Sequence, residues 1–340
     1  MNTKKNYITI LSVISAIAVV FLHVNGCFWS YGRERYWYTA NVIECLCYFA
    51  VPVFFMITGA NLIDYQDKYS TKEYFKKRIK KVVIPFIVWS TIALIHLICL
   101  KLISIKDINV SYIINGYTGT TFLSVYWFFL CIFGVYLFIP VIASIDKNKR
   151  LSVCKYLFII SFVLRCLFPF IINTFKLNIS IEIPFNICTD YLMFVLLGYI
   201  IDKIEIKKKY RIIIYILGII GLLIHLIGTY YLSNKIGQVD QTFKGYCNIP
   251  SVLYATSIFI FVKYISNYFK SSKILDKFAT YTFPIYLIHF ILLDIFNYYF
   301  NIDTRSIIYR LGFPIILIPI CILLTYLLRK IPIVKRIVPW

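Results

Sequence analysis

The ionisable side chains inside long apolar runs of this 340-residue chain include His23, Glu44, His96, Arg165, Asp190, His225, His289 and Asp294. Burying such a group at membrane depth costs free energy, so each is a functional candidate. His23 lies about five residues below one end of the first run, and Glu44 about five below the same-side end of the second, at 1.5 Å per residue. The connection between these runs is short, which makes them antiparallel neighbours and brings imidazole and carboxylate within hydrogen-bond reach. A carboxylate partner fixes the imidazole tautomer and raises its basicity, as a general base requires. Asp190 and Asp294 fall in the same third of their runs, with Arg165 a little deeper as a counter-ion for either. Together these groups outline a polar cavity open to one side. The plainer reading, that they are interhelical hydrogen-bond partners, stays open, above all for His96 and His225.

A second cluster is basic. Ser70-Thr71-Lys72-Glu73 reads as a helix cap, followed by Tyr74-Phe75-Lys76-Lys77-Arg78-Ile79-Lys80-Lys81. This predicts a short basic amphipathic helix on a membrane surface. Arg78 and Lys81, three apart, share a helix face and can clamp a polyphosphate such as that of coenzyme A. Lipid headgroup contact is the simpler alternative. Trp29, Tyr31, Tyr36, Trp37 and Tyr38 form an aromatic group that reads either as an interfacial belt or as a stacking platform for a sugar ring.

The elements that must position these residues follow from composition. Apolar residues make up 60 % of the chain and charged residues only 15 %. That excludes a soluble globular protein and a disordered one. Runs long enough to cross a bilayer span approximately 7–28, 39–63, 82–103, 121–145, 151–174, 183–202, 212–232, 249–268, 280–300 and 307–328. The fold class is therefore all-α, a polytopic integral membrane protein of about ten transmembrane helices, read as a single domain over 1–340. Lys and Arg number 26 on one set of loops and 9 on the other, which puts both termini in the cytoplasm. The net charge of +21 then reflects basic loops facing anionic lipid rather than nucleic acid. Pro52, Pro85, Pro140, Pro284 and Pro314 predict kinks within the spans. The first run is read as retained rather than cleaved, because His23 is unusual in a removable signal. Most of the ten cysteines lie in apolar runs; a bridge between Cys27 and Cys247 is left open.

Five stretches, in order, resemble the acyltransferase-3 family of bacterial inner-membrane proteins. They are Ile10 to His23; Val51-Pro52-Val53-Phe54-Phe55-Met56-Ile57-Thr58-Gly59; Tyr74 to Lys81 running on to Pro85 and Trp89; Tyr126-Trp127-Phe128-Phe129 with Tyr136 and Pro140; and Tyr281-Thr282-Phe283-Pro284-Ile285-Tyr286-Leu287-Ile288-His289. The resemblance implies ten-helix enzymes that O-acylate surface glycans, with His23 as the catalytic histidine and Arg78-x-x-Lys81 in place of the family's RxxR loop. One position departs. The family carries Arg or Lys eleven residues before the histidine, where this chain has Ser12. Another cation, another donor or loss of the enzymatic activity are the readings this leaves.

The expected function is transfer of an acyl group, acetyl in the simplest case, from cytoplasmic acyl-CoA to a hydroxyl of an envelope glycan outside a bacterial inner membrane. His23 and Glu44 are the expected catalytic residues, Arg78 and Lys81 bind the donor phosphates, and Trp127, Arg165 and Asp190 bind substrate. No permanent cofactor or metal is expected. The partners are acyl-CoA, the glycan and membrane lipids, with a homodimer left open and nucleic acid excluded. The alternative is a non-catalytic transporter or exporter of an amino acid or glycan precursor.

Overall fold

A computed structural model describes residues 6–179, 190–270 and 272–339. Among them all regular structure is helical, as a bilayer demands of a chain whose backbone groups must be satisfied without water. In chain order the helices are α1 (Asn6–Val24), α2 (Arg35–Cys47), α3 (Ala50–Leu62), α4 (Thr71–Arg78), α5 (Ile84–Cys99), α6 (Val110–Thr118), α7 (Trp127–Ala143), α8 (Lys147–Phe162), α9 (Phe168–Phe175), α10 (Asp190–Lys203), α11 (Lys208–Ile236), α12 (Ile249–Ile265), α13 (Lys273–Ala279), α14 (Thr282–Phe300) and α15 (Ile307–Lys330). Nine helical segments among the described residues are long and apolar enough to cross a membrane. The remaining apolar run, 183–202, is represented by α10; its first residues, 183–189, lie outside the described set.

Prolines account for the interruptions. A proline lacks the amide that would bond the carbonyl four residues back, and its ring crowds that carbonyl. Pro52 has Tyr48 at that position, and the chain breaks between α2 and α3 there. Pro85 and Pro169 have Lys81 and Arg165, and each sits in a π turn, Ile79–Val83 and Val163–Leu167, that widens the helix without ending it. The basic segment is consequently continuous with a span: Thr71–Cys99 runs as one helical stretch, not as a separate surface helix.

The chain divides into two compact units. The first comprises Met1–Ile63, Ile142–Ala279 and Asp303–Pro314; the second comprises Asp64–Val141, Thr280–Ile302 and Ile315–Trp340. In the first, α3 packs along α10, α11 along α12, and α1 against α2, α3 and α12. The α3–α10 crossing is very close: a Cβ on Gly59 would overlap the Val195 carbonyl, and one on Gly198 the Met56 backbone. Close approach through small residues is how membrane helices gain van der Waals contact. It also explains the glycine that closes the Val51–Gly59 stretch.

In the second unit α5 packs on α14 and α6. Trp89 Nε1 donates to the Ile337 carbonyl at 2.9 Å. The Arg329 guanidinium holds the Thr280 and Pro339 carbonyls at 2.7 Å each. The Tyr126 hydroxyl donates to the Leu287 carbonyl at 2.7 Å, and that of Tyr286 to the Val125 carbonyl.

Candidate functional site

In the first unit the Pro52 break leaves Glu44 and Tyr48 one turn apart at the end of α2. Glu44 is 4 % exposed. The structure gives it a partner other than the expected His23: Lys244 Nζ lies 2.6 Å from Glu44 Oε1. Lys244 is itself 2 % exposed. Its ammonium stands 3.8 Å from the Tyr48 ring centroid, 4.7 Å from that of Phe28 and 5.1 Å from that of Trp29. Carboxylate and aromatic faces together replace the water this cation gives up. Tyr246, two residues beyond Lys244, stacks on Tyr48 with centroids 4.3 Å apart. Burial holds the Tyr246 hydroxyl well above its usual range, and the Glu44 charge adds to it. The connection from α11 to α12 is built to deliver this lysine. Gly237 ends α11 in the left-handed region at φ +73°. The Asp240 amide then donates to Ser233 Oγ and the Lys244 amide to the Gln241 carbonyl.

His23 is the penultimate residue of α1 and is half-buried. The sequence places it about five residues inside the first helix; the helix instead ends at Val24. Buried Asn25 makes that end. Its Nδ2 donates to the Ala40 carbonyl at 2.9 Å, and its Oδ1 accepts from Arg310 Nη1 at 3.3 Å. Arg310, 1 % exposed, also donates to Thr39 Oγ1 at 2.7 Å and to the Arg305 carbonyl at 3.1 Å. The chain after His23 is thus tied to α2 and α15. The turn that follows carries Phe28 and Trp29, two rings of the Lys244 box. The turn that follows His23 and the buried Glu44 are therefore joined through Lys244. Burial pushes the Cys27 thiol up while Arg310 and Arg305 pull it down. Cys27 and Cys247 are not bridged.

The aromatic group divides. Trp37 is a core residue whose Nε1 donates to the Phe28 carbonyl at 2.8 Å, while Trp29 and Tyr38 are exposed. Ser12 turns its hydroxyl back to the Ile8 carbonyl at 2.7 Å, within its own helix. Arg165 lies exposed in the π turn after α8. Asp190 opens α10, and its side chain lies outside the described set.

The second unit holds the remaining candidates. Arg78 is half-buried, its guanidinium 5.7 Å from the Tyr74 ring centroid and 5.5 Å from that of Tyr136. Its Nε has no hydrogen-bond partner among the described residues. Lys81 is exposed within the π turn that follows Arg78. Trp127 begins α7 and is half-buried, its ring 6.4 Å from that of Phe128. Asp294 pairs with His96, Nε2 to Oδ2 3.7 Å, rather than with Arg165.

A family model described as an acyltransferase domain matches residues 5–329, running through both units and past His23, Arg78 and Trp127. The chain belongs to the acyltransferase-3 family. No curated protein and no solved structure matches it. Family membership and the apolar helices together make it a multi-pass membrane acyltransferase. Lys244 and Arg310 are the two members of this acyltransferase's buried cluster that the sequence does not single out. Both look like ordinary loop cations. Arg310 alone left a signal, since it falls three residues inside the last apolar run.

Proposed function

We propose that the chain is an O-acyltransferase that moves an acyl group, acetyl in the simplest case, from cytoplasmic acyl-CoA to a hydroxyl of an envelope glycan on the outer side of a bacterial inner membrane. His23 at the end of α1, in a chain that matches an acyltransferase family along nearly its whole length, carries this reading. The bias of Lys and Arg between alternate loops supports cytoplasmic termini. His23 takes the proton of the acceptor hydroxyl as that oxygen attacks the thioester carbonyl. The new C–O bond forms, the C–S bond breaks, and the departing thiolate recovers the proton from His23. The α1 carbonyls at the helix end present partial negative charge, which complements the imidazolium formed between these steps. Glu44 acts through Lys244, holding a cation beside the turn that follows His23.

Arg78 and Lys81 bind the phosphates of coenzyme A, one through a guanidinium with an uncommitted Nε and one through an exposed ammonium. Trp127, Arg165 and Asp190 contact the substrates, and the Trp127 indole or the Arg165 guanidinium donates to the oxyanion of the tetrahedral intermediate. The test of the donor is calorimetric titration of acetyl-CoA into the purified protein in detergent. Micromolar binding, weakened about tenfold or more in Arg78→Ala/Lys81→Ala, is expected, which corresponds to about 1.4 kcal/mol. Absence of binding to the intact protein rules out acetyl-CoA as donor.

A further inference from the structure

The interior face of α11 is made by Gly218, Gly221, His225, Thr229 and Ser233. His225 is 1 % exposed and Thr229 is fully buried. Neither His225 Nε2 nor Thr229 Oγ1 has a hydrogen-bond partner among the described residues. Buried polar atoms are nearly always paired. A threonine in a helix normally returns its hydroxyl to the carbonyl four residues back, as Thr58, Thr256 and Thr325 do here. Thr229 does not, and one turn further Ser233 is engaged by the Asp240 amide. Four residues of helix put the two unpaired groups on one face about 6 Å apart.

Their surroundings say what they would hold. The His225 ring meets the Tyr48 ring edge-on at 5.0 Å, and Tyr48 carries the Lys244 ammonium. Asn41 Nδ2 donates to the Leu226 carbonyl at 3.0 Å, fixing α2 against α11 beside them. Glu44 and Lys244 satisfy each other, so neither a carboxylate nor an ammonium ligand finds a counter-charge in this pair. An imidazole and a threonine hydroxyl each offer donor and acceptor capacity. That combination, next to a neutralised ion pair, suits the hydroxyls of an uncharged polyol such as a sugar ring.

We infer that His225 and Thr229 form the hydroxyl-recognition subsite for the acyl acceptor, His225 Nε2 and Thr229 Oγ1 each bonding one acceptor hydroxyl. This rests on the O-acyltransferase reading above. The protein in nanodiscs, with acetyl-CoA and the host bacterium's own envelope polysaccharide as probe, gives the test. His225→Leu and Thr229→Val should each raise the KM for polysaccharide by about tenfold or more, with kcat falling far less, as expected for lost ground-state binding. His225→Gln, which keeps a hydrogen-bonding head, should recover part of the loss. Only four histidines are present, so ring 15N resonances are assignable, and the polysaccharide should shift that of His225. An unchanged polysaccharide KM in both variants, or a His225 resonance that does not move, overturns the subsite. If His225→Leu fails to fold, Thr229→Val, which keeps side-chain volume, decides alone together with the resonance. A wild-type protein that consumes acetyl-CoA but acetylates no polysaccharide overturns the glycan acceptor; one that consumes none overturns the enzymatic reading beneath it.

Discussion

Removing either partner of the Glu44–Lys244 pair should destabilise the protein, and removing Lys244 should cost more. At 2.6 Å and an effective dielectric near 20, the gross attraction is about 6 kcal/mol. Desolvation consumes much of that, but deleting one partner leaves the other charged and buried, which costs about 3–5 kcal/mol. The two deletions differ in what remains. Glu44→Gln leaves an ammonium still faced by Tyr48, Phe28 and Trp29, a cushion of about 2 kcal/mol for a desolvated cation. Lys244→Met leaves a carboxylate with no such faces and removes the aromatic contacts as well. The double variant Glu44→Gln/Lys244→Met buries no charge and should recover to within about 2 kcal/mol of the wild type. Reversible unfolding in mixed micelles, with SDS as denaturant, measures the full cycle. Additive single effects, or a Glu44→Gln change below about 0.5 kcal/mol, would refute the reasoning, because either means the pair is solvated.

Other consequences are as specific. Arg310→Met strips donors from Asn25 Oδ1, Thr39 Oγ1 and the Arg305 carbonyl and should cost about 3 kcal/mol or more; the same unfolding assay checks it, and a neutral result would show that the α1 end is held otherwise. Gly59→Val forces a side chain into the Val195 carbonyl and should cost about 3 kcal/mol or more, read as loss of monodisperse protein in size-exclusion chromatography. A variant retaining only Cys27 should react with maleimide at neutral pH about tenfold or more slowly than free glutathione, because the Cys27 thiol is buried and pushed up. Equal rates would show that the turn after His23 is open to solvent.

The helices were largely legible because lipid leaves the backbone little choice: every long apolar run among the described residues is a helix. The interruptions were only partly so. Pro85 signals a kink, but whether a proline ends a helix, as at α2–α3, or is absorbed in a π turn, as at Ile79–Val83, depends on packing. The buried cluster was half legible. Glu44 stands out in an apolar run, whereas Lys244 lies 200 residues away in a polar connection with no local mark of its partner. The topology rule treats such a lysine as a solvated loop cation, and so counts it without asking where its head goes. The His96–Asp294 pair could have been found: the two lie seven and six residues from corresponding ends of their runs. Assigning Arg165 to Asp294 as its counter-ion leaves unused the imidazole–carboxylate match already applied to His23 and Glu44.

The most direct test of the central claim is thiol release from acetyl-CoA by the purified protein supplied with envelope polysaccharide as acceptor, compared between wild type and His23→Ala at equal folded concentration. The account requires turnover in the wild type and a loss of about 10²-fold or more in the variant, the usual scale for a missing general base. Full turnover without the His23 imidazole would contradict it.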